Sequence, residues 1–198
     1  MEHLKHVWPS MEYKEDSINY IKEHYECNSQ IHGVSGLNRY LEDYEGWLEH
    51  LEYCRSIEPN EELVPSESYL LVREEDNKVV GMINLRIVLN ESLKKFGGHI
   101  GYSIRPSERR KGYNKINLYL MLKRCYELGL EEVLLDCSVD NLGSSKTMEA
   151  LGGIRIDEYY NENYGKIYRY SINVLESINK YRDLYEPMVG KSLVKQGE

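Results

Sequence analysis

The segment that most constrains the fold, residues 98–129, joins two different hydrophobic periods through a basic turn. Its first part, residues 99–105, places Ile100, Tyr102 and Ile104 at alternate positions, which is the spacing of a half-buried strand. Its last part carries apolar residues at helical spacing, namely Leu118, Met121, Leu122, Cys125 and Leu128. The segment therefore predicts a strand, a polar turn and an amphipathic helix.

The turn between this strand and this helix has the composition of an anion-binding site. Arg109, Arg110 and Lys111 directly precede Gly112. The first N–H groups of a helix lack internal partners and carry the positive end of the helix dipole, so they favour a phosphate. Gly112 has no Cβ to keep a bulky anion away from the backbone. We expect the backbone N–H groups to dominate, at roughly 1.5 to 3 kcal/mol each, and the basic side chains to assist. A solvated surface turn is the alternative.

The residues from Arg109 to Asn114 resemble the R/Q-x-x-G-x-G/A signature with which the GCN5-related N-acetyltransferases, the GNAT family, bind acyl-coenzyme A. Asn114 departs from that signature, because the family usually has Gly or Ala there. A larger side chain could crowd the pyrophosphate or point outward. The resemblance implies that the strand end and the turn bind acetyl-coenzyme A through Ile104, Arg109, Arg110, Lys111, Gly112, Tyr113 and Asn114.

A second segment, residues 140–153, follows a predicted buried strand and resembles the family pattern N-x-x-S-x-x-x-Y-E-K-x-G-F. The resemblance implies that Asn141 and Ser144 contact the coenzyme and that Ser145 is a catalytic candidate. Asn141 is also well placed to cap a helix, and the two roles are compatible. Met148 stands where the family often has a tyrosine that protonates the departing thiolate. We expect Met148 to pack the helix instead.

An attacking amine must lose a proton, which costs about 4 to 5 kcal/mol at pH 7 for an amine of pKa ~10.4. His99 lies on the strand that leads to the proposed coenzyme site, and an imidazole of ordinary pKa ~6.5 suits that task. We therefore take His99 as the candidate base. The alternative is a histidine that is hydrogen-bonded for packing, and Asp136 and Glu149 are further candidates.

The rest of the chain predicts helices, a hairpin and closing strands. These are helices within residues 14–54 with a break at 33–36 and a second helix over 37–54, a hairpin of 69–72 and 79–87 turning at 75–77, strands at 154–159 and 166–174, and a short helix ending near Pro187. We predict an α/β (α+β) fold in which a mixed, centrally splayed β-sheet is flanked by helices, as the resemblance implies. The acetyltransferase domain would span residues 1–174, including the helices of 14–54. Residues 175–198 would form a tail.

Composition narrows the class of protein. A chain of 198 residues suits one domain, and no apolar run approaches the ~20 residues that cross a membrane. The formal charge of −8 argues against nucleic-acid binding and favours a cationic acceptor. Four cysteines without CxxC spacing indicate reduced thiols and no metal site. With no signal peptide in the sequence, we expect a cytoplasmic protein.

The resulting functional prediction is an acetyl-coenzyme A-dependent N-acetyltransferase. It would transfer the acetyl group by direct attack of a primary amine from an unidentified small molecule or peptide. A noncatalytic acyl-coenzyme A-binding sensor or scaffold is the main alternative. A helical partner-binding protein that uses the apolar face of residues 40–51 is another, and it would need an exposed apolar patch. The tail helix is a candidate contact between two copies in a homodimer.

Overall fold

The computed structural model describes residues 2–190, and within them the chain forms seven strands and six α-helices. The strands are β1 (Leu4–Val7), β2 (Ser66–Arg73), β3 (Lys78–Arg86), β4 (Ile100–Ile104), β5 (Glu132–Ser138), β6 (Ile154–Asn161) and β7 (Gly165–Asn173). The helices are α1 (Lys14–Glu26), α2 (Tyr44–Ser56), α3 (Glu91–Lys95), α4 (Tyr113–Glu127), α5 (Leu142–Glu149) and α6 (Val174–Tyr185).

The strands form two antiparallel sheets. The first has the order β1-β2-β3-β4 and the second has the order β5-β7-β6. The hairpin of β2 and β3 turns where the sequence predicted it, and Asn77 there adopts φ +53°. Strand β1 was not predicted, because four residues are too few to show a period.

The two sheets meet at β4 and β5 but do not join. The described residues of these strands form no ladder. They are linked just before β4 begins, by a bridge between Gly98 and Leu135 and by hydrogen bonds between His99 and Leu134. Gly98 is required there, since a Cβ would lie 2.3 Å from the Leu134 carbonyl oxygen. The predicted α/β fold with a centrally splayed sheet is thus confirmed. The parallel pair that a strand–helix–strand unit usually forms is replaced by a gap.

Helix α4 packs against both the first sheet and α6. Its predicted apolar face is confirmed, because Leu118, Met121, Leu122 and Cys125 are all fully buried. The Gly112 that precedes the helix adopts the left-handed conformation, with φ +84°. The strand, turn and helix predicted for residues 98–129 therefore form as expected, and they place the basic turn at the end of β4.

The prediction that the second N-terminal helix starts at Leu37 is wrong. Residues 37–39 form a short 3₁₀ turn, and α2 begins at Tyr44. The reason is the N-cap Asp43, whose side chain accepts a hydrogen bond of 3.0 Å from the Gly46 N–H.

The apolar face of α2 is not available to a partner protein. Tyr44, Trp47 and Leu51 are at most 2% exposed and pack in a core with β2 and β3. The structure therefore contradicts the alternative of a helical partner-binding protein, which required these side chains to form an exposed patch.

The predicted C-terminal helix is confirmed as α6, which ends at Tyr185. Val174, Ile178 and Tyr185 are buried in the same core as α4. Beyond the helix, Glu186 accepts hydrogen bonds of 2.8 Å from the Tyr119 hydroxyl and from Lys123. The described part of the predicted tail is thus packed on the domain. Residues 191–198 lie outside the described part, and the boundary at residue 174 and the homodimer stay predictions.

Within residues 2–190, every helix is either too short or too polar to span a lipid bilayer. The cytoplasmic location stays a prediction.

Candidate active site

A cleft of about 1330 Å³ occupies the gap between β4 and β5. One end is formed by the basic turn and the first residues of α4, and the other by Arg86, Phe96 and Tyr164 near the start of β4. Residues 28–33 run between them, from Ser29, which is bonded to Arg109, to Gly33, which lies against Gly101. Most of the predicted coenzyme residues line it, namely Ile104, Arg109, Arg110, Gly112, Tyr113, Asn114, Asn141 and Ser144. Lys111, His99 and Ser145 are not among the described residues that line the cleft.

The N-terminus of α4 opens onto the cleft. A Cβ added to Gly112 would meet no atom within 4 Å, so the space in front of the helix is free. Tyr113 and Asn114 follow as the first helical residues, and N–H groups at such positions have no intrahelical acceptor. These N–H groups and the helix dipole provide the anion-binding features that the sequence predicted.

The three basic side chains of the turn differ in their hydrogen-bond partners. Arg109 braces the turn, because its Nε donates to the Ile104 carbonyl (3.1 Å) and its Nη2 to Ser29 Oγ (2.6 Å). Lys111 donates to Glu108 at 2.7 Å, so its ammonium group is already paired with a carboxylate. Arg110 adopts φ +64°, is exposed and makes no side-chain hydrogen bond to residues 2–190. Among these three residues, Arg110 is the one best placed to pair with an incoming anion.

Glu108 anchors the turn to the first sheet. It is 4% exposed and accepts hydrogen bonds from Arg73 (2.9 Å), Lys78 (2.8 Å) and Lys111. Burial opposes its ionisation, but the three cationic donors prevail and lower the pKa of Glu108 to about 2. The turn therefore rests on a carboxylate that stays ionised at neutral pH.

Two of the residues predicted to bind the coenzyme, Tyr113 and Asn114, have side chains that make contacts within the protein. Tyr113 is buried and its hydroxyl bonds to Glu2 and Arg73, so it offers the cleft its backbone rather than its ring. The side chain of Asn114 turns toward α5, where Nδ2 lies 3.4 Å from Thr147 Oγ1. Its Oδ1 is buried and has no partner within residues 2–190. An amide N–H of a bound ligand would satisfy that oxygen.

Helix α5 presents Ser144 to the cleft and hides Ser145. Asn141 caps the helix, because its Oδ1 accepts from the Ser144 N–H at 3.1 Å, which confirms the capping role. Ser145 is 7% exposed and its hydroxyl lies 3.4 Å from both Cys137 Sγ and the Asn141 carbonyl oxygen. The structure thus does not support the catalytic role predicted for Ser145.

Tyr102 is the residue that sequence reasoning missed. It lies at the centre of β4, lines the cleft, and shares a hydrogen bond of 2.9 Å with Ser144 Oγ. Burial raises the pKa of Tyr102, so the phenol keeps its proton at neutral pH until negative charge forms beside it. The signal was present in the sequence as the one hydroxyl-bearing residue among the alternating apolar positions of this strand.

The geometry around His99 argues against its predicted role as base. Its Nδ1 accepts a hydrogen bond of 3.0 Å from the Leu134 N–H, and protonating Nδ1 would break that bond. Burial, with a further contribution from Arg86, lowers the pKa of His99 to about 4. This is the packing histidine that the sequence left as the alternative.

The carboxylate candidates are also occupied. Asp136 accepts four hydrogen bonds, from the Gly97 N–H, the Tyr159 hydroxyl and two nitrogens of Arg169, at 2.7 to 2.8 Å. Glu149 accepts from the Tyr170 hydroxyl at 2.9 Å. Their oxygens are thus engaged in holding neighbouring side chains and the backbone in place.

His32 is better placed to receive a proton. It lines the cleft beside the middle of β4, where the Ser103 hydroxyl donates to its carbonyl oxygen at 2.6 Å, and its Nε2 lies 3.5 Å from Gln30 Oε1. Its Nδ1 makes no hydrogen bond to residues 2–190. His32 is an exposed residue, but partial desolvation of its ring in the cleft and the charge of Arg86 lower its pKa, so the ring is neutral at pH 7.

Met148 lies in the core rather than in the cleft. Its side chain is fully buried and belongs to the cluster that includes α4 and β5. The expectation that it packs the helix is confirmed. A tyrosine at this position would have to displace core side chains before its hydroxyl could reach the gap.

Solved structures of acetyltransferases share this fold. RimJ of Mycobacterium smegmatis in complex with CoA-disulfide superposes with a TM-score of 0.69 at 11% identity, over 92% of this chain and 91% of that one. The ribosomal-protein-S5-alanine acetyltransferase of Vibrio fischeri superposes with a TM-score of 0.64 at 14% identity, over 87% of this chain and 94% of that one. A chimera of the spermidine N-acetyltransferase SpeG from Vibrio cholerae and hSSAT superposes with a TM-score of 0.61 at 16% identity, over 89% of this chain and 99% of that one.

Comparison with curated protein sequences gave no match. A family model, by contrast, matches residues 34–153, which is well over half of the chain, and its description is the acetyltransferase (GNAT) family. The matched range contains both segments whose resemblance to that family was noted in the sequence. The predictions of family and of an N-acetyltransferase enzyme are confirmed, and the chain belongs to the GNAT family.

Proposed function

We propose that this protein transfers the acetyl group of acetyl-coenzyme A to a primary amine by direct attack. The observation that carries the proposal is a single cleft with two unlike ends, which runs through the gap between β4 and β5. One end offers a free helix N-terminus to a pyrophosphate, the other is bordered by Arg86, and a neutral histidine lines the cleft between them. Acyl donor and acceptor can therefore meet at the centre, beside Tyr102 and Ser144.

The donor end would bind the coenzyme through backbone and side chains together. The N–H groups of Tyr113 and Asn114 would hold the pyrophosphate, with Arg110 as the assisting cation. Asn114 Oδ1 and the region of Asn141 would face the amide-bearing arm of the coenzyme. This assignment keeps the predicted coenzyme residues, with Lys111 and Arg109 acting through the shape of the turn.

The chemistry requires one proton acceptor and one proton donor. The amine nitrogen forms a bond to the thioester carbonyl carbon, the carbon–sulfur bond breaks, and the amine loses a proton. We assign that proton to His32, directly or through water, in place of His99. The leaving thiolate, with a thiol pKa of ~8.5, takes a proton from Tyr102, whose hydroxyl is restored through Ser144 and water.

The alternative of a noncatalytic acyl-coenzyme A sensor or scaffold is favoured by one observation, the methionine at position 148. A binding module would hold acetyl-coenzyme A and release no free thiol with any amine. Thiol release therefore separates the two functions.

The test measures thiol release from acetyl-coenzyme A with a panel that includes a polyamine, free amino acids and a peptide with a free N-terminus. The panel is broad because similar structures carry the names of a spermidine and a ribosomal-protein acetyltransferase. Wild-type protein is expected to release thiol with at least one of these amines. Failure with all of them, while acetyl-coenzyme A still raises the melting temperature, would favour the binding module.

The proton donor is tested with Tyr102→Phe. Leaving the thiolate unprotonated costs about 2 kcal/mol, so kcat is expected to fall about thirtyfold with the donor affinity unchanged. Tyr168→Phe is the matched control, because Tyr168 packs its ring under Arg155 and lies outside the cleft lining. Equal rates for wild type and Tyr102→Phe would remove Tyr102 from the mechanism.

A further inference from the structure

Arg86, the last residue of β3, lines the end of the cleft opposite the basic turn. Its Nη1 donates to the carbonyl oxygens of Gly97 (3.3 Å) and Gly98 (2.9 Å). Its Nε and Nη2 donors have no hydrogen-bond partner within residues 2–190. No carboxylate in that part of the chain lies within ion-pairing distance of this half-buried guanidinium. Arg86 thus keeps part of its planar donor fork free at the cleft.

Arg86 lies too far from the basic turn to serve the pyrophosphate. It is bonded to Gly98, ahead of β4, whereas Arg109 is bonded to Ile104 at the far end of that strand. Five residues of strand, at roughly 3.3 Å each, put about 16 Å between the two ends. The free donors of Arg86 therefore belong to the acceptor end.

The positive charge of Arg86 is not neutralised by its surroundings. The carboxylate of Asp136 favours the charge on Arg86, but it is held in a two-nitrogen pair by Arg169. Burial and then the charge of Arg86 both lower the pKa values of His32 and His99, which leaves these rings neutral. The acceptor end is therefore locally cationic, although the whole chain has a formal charge of −8.

An aromatic wall borders the same end. The rings of Phe96 and Tyr164 are stacked with their centroids 5.1 Å apart, and both residues line the cleft. Beside Arg86 these rings provide an apolar surface for the rest of an acceptor molecule. The positive charge of Arg86 at this end repels a polycationic amine.

Resting on the proposed transferase function, we propose that the acceptor is a small amine that also carries an oxyanion, a carboxylate or a phosphate, and that Arg86 binds this group. A half-buried guanidinium without a carboxylate partner gains charge-assisted hydrogen bonds when an oxyanion enters. Arg86 is then a specificity-determining residue. It places the amine of the same molecule toward His32 and the centre of the cleft. This reverses the expectation, drawn from net charge, of a cationic acceptor.

The test compares matched amines that differ by one anionic group. One pair is phenylalanine and phenethylamine, and the other is O-phosphoethanolamine and ethanolamine. Wild-type protein is expected to favour the anionic member of at least one pair by tenfold or more in kcat/KM, mainly through KM, and the favoured pair shows whether carboxylate or phosphate is bound. Equal kcat/KM within both pairs would overturn the proposal.

Three variants show whether the preference comes from Arg86. Arg86→Gln is expected to lose it, and Arg86→Lys to keep only part of it, because lysine retains the charge but not the fork. Lys95→Gln removes an equal charge from an exposed position outside the cleft lining and is expected to keep the preference. A preference that survives in Arg86→Gln overturns the proposal. If Arg86→Gln gives no thermal shift with acetyl-coenzyme A, the variant has lost its binding site and Arg86→Lys is used instead. An unreduced preference for the anionic amine in Arg86→Lys then overturns the proposal.

Failure of the transferase function is distinguished by a binding measurement. If no amine is acetylated, calorimetry with phenylalanine and O-phosphoethanolamine is performed on the protein saturated with coenzyme A. Binding that is at least tenfold weaker in the Arg86 variant supports the oxyanion site even though the proposed catalysis fails. Absence of binding, or equal binding by wild type and variant, overturns it.

Discussion

Met148 stands where the family often has a tyrosine, and its side chain packs in the core instead of facing the cleft. The family's tyrosine at this position would be a proton donor, but here the side chain is fully buried. We expect Met148→Tyr to raise turnover by less than about tenfold and to lower the free energy of unfolding by about 1 to 3 kcal/mol through overpacking. Initial rates and thermal melts test this, with Met148→Leu as the volume-conserving control. A gain of several hundredfold would show that the native protein lacks an essential acid.

The two histidines near the cleft are predicted to differ in their effect on the pH profile. Because the pKa of His32 is lowered, its base form is present at neutral pH and is lost only as the pH falls below the usual histidine range. His32→Gln should therefore lower kcat by about tenfold to a hundredfold at pH 7 and remove the acid limb of the profile. The rise toward the amine pKa at high pH should remain.

His99→Ala is the matched comparison for His32. It should keep the pH profile and lower the free energy of unfolding by about 1 to 3 kcal/mol, because the Leu134 N–H loses its acceptor. Loss of the acid limb in His99→Ala, with its retention in His32→Gln, would restore the assignment of His99 as the base.

Sequence could predict the donor end of the site better than the acceptor end. Gly112 and its basic neighbours are consecutive, so their local chemistry is readable without a fold. The pairing of Tyr102 with Ser144 joins residues 42 positions apart across the gap, and the isolation of Arg86 depends on Asp136 being held by Arg169. No period or spacing in one sequence reveals such long-range contacts.

At the scale of elements, the helix α4 offers a direct test of the anion-binding turn. Gly112 and Gly129 flank the same helix, both have positive φ (+84° and +77°), and a Cβ at either would meet nothing within 4 Å. Substitution by alanine should cost each about 1 kcal/mol of stability, since only the left-handed conformation is penalised. Only Gly112→Ala should also weaken the thermal shift produced by acetyl-coenzyme A. Equal shifts in the two variants would remove the helix N-terminus from the binding site.

The sequence predicted the elements whose apolar residues repeat at regular spacing over many positions. It did not predict the features that depend on a particular hydrogen bond or on contacts between distant segments. The α4 face and the β2–β3 hairpin follow from period and turn residues alone. The start of α2 depends on Asp43 acting as the cap, and the apolar spacing over residues 37–54 does not specify that residue. The gap between β4 and β5 could be expected only from the family resemblance, because each strand by itself has an ordinary sequence.

At the scale of the whole molecule, α6 determines whether the domain can end at residue 174. Tyr185 is 5% exposed and packs against Tyr119, whereas the adjacent Leu184 is 58% exposed. Tyr185→Ala should lower the free energy of unfolding by about 3 kcal/mol, and Leu184→Ala by less than about 0.5 kcal/mol. Chemical denaturation measures both. Equal small effects would mean that the domain is stable without its last helix.

The gap between the sheets has a mechanical consequence. Two strand edges that face each other without a ladder leave backbone donors and acceptors unused. A donor molecule with amide groups along its arm would act as an eighth strand and fasten the two halves into one continuous sheet. The donor molecule would thus also be part of the sheet, and its release after each turnover would separate β4 from β5 again. Hydrogen exchange of the backbone amides of β4 and β5 should slow when the donor molecule is bound. The rigidity of the protein would then rise and fall once in each catalytic cycle.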